Sequence, residues 1–219
     1  MAIQVQGNGG TVAEVDGTTY RALRVTQRPI DYGAFGHYRL STTIALVVTQ
    51  AANGTLFSFR WGDATRLCIP TYIRLQCLQT AAATATIMPS FEVLVARSFS
   101  ASDSVGTAIT LTGNSMKKRT SMGTTLVTDI RKSAVAAGLT VGTRTLDSDP
   151  ILQLPTQQTI TTPNASIYQA ALDFTDGQDM PIVLAQNEGF IVRGPTVVFG
   201  AAGTANLVVD VSWAEVSTY

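Results

Sequence analysis

The chain has 219 residues and no net charge, with 14% of its side chains charged and 45% apolar; a soluble domain ordinarily devotes about a quarter of its residues to charge. This composition gives no basis for electrostatic capture of nucleic acid or of an anionic membrane, and the length suits one all-β domain. No run of about eighteen apolar residues is present to span a bilayer, and the N-terminus lacks the basic start and apolar core of a secretory signal, so neither is expected.

Residues 1–10 are Gly-rich and read as an arm. Asp16-Gly17 follows, between the β-prone runs Thr11–Val15 and Thr18–Val25. Asp-Gly in that setting predicts a hairpin, because both central turn residues need positive φ. A loop then runs from Arg28 to His37 with Phe35 and His37 in it. We place the arm and hairpin at 1–37 and a β-sandwich at 38–219.

From Tyr38 strands recur at short intervals. Residues 38–49 form the first, and Ala52-Asn53-Gly54 supplies a turn. Phe57, Phe59 and Trp61 then alternate, Ile73, Leu75 and Cys77 share a face within 66–79, and Phe91, Val93 and Val95 alternate again. Period-two patterning of this kind marks strands with one buried face, and their spacing marks a sandwich or barrel. Cys68 and Cys77 are nine positions apart; in one extended segment that is about 30 Å, beyond disulfide reach, which predicts two free buried thiols suited to a reducing compartment.

Residues 100–165 read differently, rich in Ser, Thr and Gly. They are expected to form a long insertion with a short helix over 125–137, which sets Leu126, Ile130 and Ala134 on one stripe. Short strands are expected at 108–111 and 143–146, since so long a structureless loop is abnormal. Towards the C-terminus the apolar runs Pro181–Leu184 and Phe190–Arg193 flank a turn at Gln186–Gly189. In the last run Leu207, Val209, Val211 and Trp213 share one face. The fold class expected is all-β: a jelly-roll-like antiparallel β-sandwich with an N-terminal arm or hairpin and a long mid-chain insertion.

Chemistry-bearing patterns are sparse. His37 is the one histidine, and neither Ser41 nor Asp31 near it stands in a nucleophile elbow. No Cys-x-x-Cys or His pair provides a zinc site, and the acids Asp147/Asp149 and Asp173/Asp176/Asp179 lack the calcium-loop order and its closing Glu. Lys117-Lys118-Arg119 has no flanking aromatics and reads as a solvated loop or an inter-subunit ion pair. No catalytic, cofactor-binding or metal residue is therefore expected, and no cofactor. The low charge predicts a surface partly covered by other chains.

Three segments carry a resemblance: Gly7–Arg24, Phe57–Leu67, and Leu184–Arg193 together with Val211–Glu215. With them the chain resembles a family of structural proteins of tailed-bacteriophage virions. That resemblance implies a non-enzymatic virion protein made in the bacterial cytoplasm. Most often it is a capsid decoration (cement) protein on the shell surface, a homotrimer whose partners are further copies of itself and the major capsid protein or other virion proteins. A tail- or fibre-located protein that binds a receptor or glycan is the alternative. Interface candidates are Val12, Val15 and Tyr20 in the hairpin, which either adds a strand to a neighbour or closes its own sandwich, and Phe35, His37 and Tyr38 in the aromatic loop.

Overall fold

The computed structural model describes residues 15–16, 22–23, 36–46, 50–114, 116–127, 129–133, 138–140, 143–157, 159–160, 167–174, 181–194 and 203–217. Among them every regular element is a strand: β1 Val15–Asp16, β2 Ala22–Leu23, β3 Gly36–Leu46, β4 Thr55–Arg60, β5 Leu67–Ala81, β6 Ser90–Phe99, β7 Thr107–Ala108, β8 Asp129–Lys132, β9 Arg144–Leu146, β10 Leu152–Pro155, β11 Ile167–Asp173, β12 Gly189–Arg193 and β13 Thr204–Val216. Backbone contacts divide the chain into Met1–Asp31 and Tyr32–Tyr219.

In the first unit β1 and β2 pair antiparallel, with Val15 opposite Leu23 and Asp16 opposite Ala22. Asp16 is therefore a strand residue. This register does not fit a two-residue turn at Asp16-Gly17, because Asp16 pairs with Ala22.

In the second unit a four-stranded sheet runs β11-β5-β13-β3, and a seven-stranded sheet runs β10-β6-β12-β4-β8-β7 with β9 also on β6. All pairings are antiparallel. Alternation sorts the side chains as the sequence predicts. Leu207, Val209, Val211 and Trp213 of β13, Ile73, Leu75 and Cys77 of β5, and Phe57 and Phe59 of β4 are all buried in one core. Rings from the two sheets meet there: Phe59 lies edge-on to Trp213 at 5.4 Å and stacks on Phe190 at 4.9 Å. Both sheets thus share one apolar interior, as in a β-sandwich.

Close approach explains one sequence feature of the larger sheet. A Cβ on Gly189 would fall inside the radius of the Phe59 carbonyl oxygen on the neighbouring strand, so only glycine lets β12 lie this near β4. The turn before it holds Asn187 at φ 65°. Glu188 Oε2 accepts the Ala185 N–H at 2.7 Å, which makes this acid a turn clasp.

The helix expected over 125–137 is corrected. Residues 129–132 form β8 and not a helix: Ile130 and Lys132 face one side of β4, with Ile130 opposite Phe59, and Asp129 and Arg131 face the other. Pairing with β4 satisfies the backbone that an isolated helical turn would leave open; residues four apart share a strand face as well as a helix stripe, and of the three Ile130 alone lies in β8, Ala134 being outside the described residues. Pro181–Leu184 is not a strand of either sheet; its one ladder contact is an isolated bridge from Leu184 to Cys68. The stretch read as insertion supplies β7, β8, β9 and β10 to the larger sheet, with short strands near both predicted places.

That stretch also covers the outer side of the larger sheet. Leu94, Ala96, Phe99 and Ile191 form a second buried apolar cluster there, with Leu146 packed on it. Beside it Asp103 is buried and faces Arg144 at 3.5 Å, and Arg144 also donates to Thr55 Oγ1. Arg60 reaches Asp129 at 3.3 Å and Asn187 Oδ1 at 2.7 Å. Asp103 and Arg144 are paired by charge here, although both Asp103 oxygens and Arg144 Nη1 are buried without a hydrogen bond.

Candidate interaction surface

The outer side of the four-stranded sheet is built differently. Its side chains fall in rows set by the pairing register. One row is Arg39, Ser212, Tyr72 and Asp173; the next is Ser41, Asp210, Arg74 and Ala171. Then come Thr43, Val208, Gln76 and Gln169, and finally Ala45, Asn206, Leu78 and Ile167. All of them are half-buried or exposed. No described residue of the 99–147 stretch forms a cluster over this face as it does over the opposite one.

Chemically the face carries no net charge, with Arg39 and Arg74 against Asp173 and Asp210. Arg74 Nε donates to Asp210 Oδ2 at 2.8 Å, and that carboxylate raises the guanidinium's pKa, so the two central charges cancel. Gln76 donates to Gln169 Oε1 at 3.2 Å across β5 and β11. The apolar members gather at one end, where Ile167 (62% exposed) lies opposite Leu78 (38% exposed). Exposed Ile160 is at the same end, since Gln79 holds Thr159 through its side chain.

The sequence-based interface residues separate on this structure. Val12, Tyr20 and Phe35 lie outside the described residues, and of Val15 the backbone pairing alone is described. His37 is half-buried on the outer side of β3, at the end of the open face; its backbone N–H meets Met122 Sδ at 3.1 Å. Tyr38 is corrected: it is 1% exposed, stacks on Trp213 at 5.7 Å and donates its hydroxyl to Gly123 O. Strand alternation turns it inward, opposite in sense to His37, so it serves its own core and presents no contact ring. Burial pushes its hydroxyl up to about 12.

Sequence reasoning missed Leu78, Gln76, Gln169 and Ile167. Their signal was present in β5, where Arg74 and Gln76 mark the outward parity. It was faint in β11, whose alternation of Ile, Gln and Ala has little amphipathic contrast.

The inner polar groups are locked. Cys68 and Cys77 are free and buried on one strand, as their spacing predicts. Burial raises both thiols, Cys77 to about 12, so neither is a poised nucleophile. Glu215 is 1% exposed. It accepts from the Thr125 hydroxyl, the Leu126 N–H at 2.9 Å and Trp213 Nε1 at 3.4 Å, and burial pushes its carboxyl above the ordinary range. These bonds tie residues 125–126 to the last strand. Among the described residues no group of three or more His, Cys, Asp or Glu is placed to hold a metal ion, and no helix is long and apolar enough to cross a membrane.

No family model, curated protein or solved structure matches this chain. Among the described residues, the outer rows from Arg39 to Ile167 therefore stand half-buried or exposed and are the surface best placed for contact, while Ala214, Val216 and Ile69 on the same side at one end are fully buried.

Proposed function

We propose that the chain is a non-enzymatic virion structural protein, a capsid decoration protein that lays the open face of its four-stranded sheet on a larger assembly. The asymmetry of the two outer faces carries this reading. The 99–147 stretch covers one with an apolar cluster and ion pairs. The other keeps the neutral rows around Val208 and Gln76. With Arg74 and Asp210 paired at its centre, the face has no net charge, which suits docking by shape complementarity and hydrogen bonding rather than by attraction of opposite charges.

The strand order supports the finer fold assignment. Taking the longer strands and β10, the orders are β3-β13-β5-β11 and β4-β12-β6-β10, and each step along the chain except β6 to β10 passes to the opposite sheet. We read this order as the double Greek-key arrangement of a jelly roll, with β7 and β8 added beside β4 from the β6–β10 connection. Jelly rolls occur in capsid and lectin domains, and the link from fold to function here is one of analogy. The resemblance of Gly7–Arg24, Phe57–Leu67 and the C-terminal segments to phage structural proteins points the same way, towards the capsid surface and a homotrimer bound to the major capsid protein.

One observation favours the alternative, a tail-located glycan binder: Tyr72 sets an aromatic ring beside Ser212 and next to the row of Arg74 and Asp210 on the open face, a grouping that can stack on and hydrogen-bond a sugar.

Quantitative mass spectrometry of purified particles separates the two. The cement reading expects hundreds of copies per particle, and particles lacking the chain that break at lower temperature or in low salt. A handful of copies with unchanged shell stability would overturn it in favour of the tail.

A further inference from the structure

The edges of the two sheets are not alike. Natural sheets blunt their edges, because a bare row of N–H and C=O groups recruits further strands. In the larger sheet β7 has two residues, β9 has three, and β10 ends in Pro155. On the smaller sheet the β3 edge is occupied: Arg39 N–H donates to Met116 O at 2.9 Å, Lys118 N–H to His37 O at 3.0 Å, and Lys132 Nζ to Thr43 O at 3.0 Å. β11 is the exception. It has seven residues, Ile-Tyr-Gln-Ala-Ala-Leu-Asp, with no proline and no basic side chain, and it pairs with β5 alone among the described residues.

The direction of its backbone groups follows from the register. Phe174 N–H donates to Thr71 O at 3.0 Å, continuing the ladder in which Leu172 lies opposite Ile73. Antiparallel pairs alternate between bonded and non-bonded. The even residues of β11 therefore turn their backbone groups to β5, and Ile167, Gln169, Ala171 and Asp173 turn theirs outward.

We infer that β11 pairs antiparallel with β11 of a second copy about a two-fold axis at Ala170, joining the two four-stranded sheets into one. The strand is its own complement in this register. Gln169 and Ala171, whose N–H and C=O point outward, fall opposite each other and exchange both hydrogen bonds. On the inner side Tyr168 meets the second copy's Leu172, an aromatic–aliphatic pair of the kind that stabilises sheets, and both extend the existing core rim. On the outer side the strand's one charge, Asp173, falls opposite Ile167, so no like charges face each other. The two-fold passes through a non-bonded Ala170 pair, whose small side chains suit the close Cα approach there of about 4.5 Å. A symmetric contact of this type closes on itself and does not propagate. It deepens the self-association part of the proposed function, and a three-fold contact would use other surfaces.

The test is made on purified protein, apart from any particle. Ala171→Pro removes an outward N–H at a solvent-facing edge, where proline is tolerated. Light scattering after gel filtration should show the assembly mass halved, with thermal unfolding close to that of the unsubstituted protein. Ala170→Cys in a Cys77→Ala background should give a disulfide-linked pair under mild oxidation, because the two positions meet within disulfide range; this arm decides if the proline variant misfolds. An assembly mass that folded Ala171→Pro leaves unchanged, or the absence of the linked pair, overturns the inference, including the case in which another protein's strand occupies the edge. Absence of the chain from particles would instead sink the virion reading and leave the edge pairing standing.

Discussion

Glu215 shows at the scale of one residue how the interior constrains the sequence. Its carboxyl accepts three hydrogen bonds, from Thr125, Leu126 and Trp213, on one oxygen, while the other oxygen is buried without a partner. Cys68 on β5 and Tyr38 on β3 face the same site, and Arg66 acts on it from the loop before β5. Burial disfavours the charged form and raises the carboxyl above 4.5, against the hydrogen bonds that lower it. Between 4.5 and the raised value the native state keeps a proton that the unfolded chain has released. Glu215 therefore makes stability fall as pH rises through that window. Asp103, also raised by burial, has the same sign. Asp63 and Asp147, lowered by the Thr65 and Arg97 hydrogen bonds, have the opposite one: their contribution is present above the unfolded value and lost as pH falls. Glu215→Gln keeps the acceptor for Thr125 and Leu126 and removes the proton. Urea midpoints measured from about pH 4 to about pH 8 should then fall less steeply than in the parent. Glu215→Ala should instead lose about 2 kcal/mol throughout, because the Leu126 N–H is left unpaired. Parallel pH profiles for the parent and the Gln variant would contradict this account.

At the scale of elements, legibility followed contrast. β3, β5 and β13 were readable within a few residues because apolar and polar side chains alternate along them, and β12 because a short apolar run follows a turn signal. β8 was misread since a four-residue segment of Asp-Ile-Arg-Lys carries too few apolar positions to distinguish the two periods; its partner β4, distant in sequence, decides the matter. The buried side of the larger sheet was equally hidden. Ser58 and Ile191 alternate as outward positions, and nothing in either strand announces that residues 99–104 and 139–147 will return to cover them. Asp103 and Arg144 hold this cover in place. Removing the arginine leaves the carboxylate buried with its charge uncompensated, a change that costs about 3–5 kcal/mol in buried pairs. Arg144→Ala should thus destabilise by about 3 kcal/mol in equilibrium unfolding, and hydrogen exchange should rise first in β9 and around Ser104. An Arg144→Met, Asp103→Leu pair of changes, which removes both charges at similar volume, should recover most of the loss. Failure of the double variant to recover would mean that the pair holds the cover through its geometry and not through mutual neutralisation.

For the whole molecule, the question is why, among the described residues, the chain lies over one outer face of the sandwich and leaves the rows from Arg39 to Ile167 on the other half-buried or exposed. The open face has the half-buried Val208 between Thr43 and Gln76, and its central charges, Arg74 and Asp210, neutralise each other. Its rows hold two basic and two acidic side chains among small and amide ones, so the face carries no net charge and suits a contact made by shape and hydrogen bonding. Sequence composition hinted at such a surface through its low charge, yet it could not say which side. Two substitutions separate contact from folding. Val208→Arg and, separately, Thr43→Glu place charge at the centre of this face, on side chains that point away from the core. Each should change folding stability by about 0.5 kcal/mol or less, in keeping with surface positions away from packed features. Each should also weaken rebinding to particles stripped of the protein by about tenfold, the equivalent of about 1.4 kcal/mol, when binding is followed by co-sedimentation. Opposite charges producing the same loss would identify shape and neutrality, not attraction, as the basis of docking. Rebinding at full strength by both variants would move the contact to another part of the molecule. The edge pairing through β11 would still stand in that case, because it runs in the plane of the sheet while the docking face lies perpendicular to it.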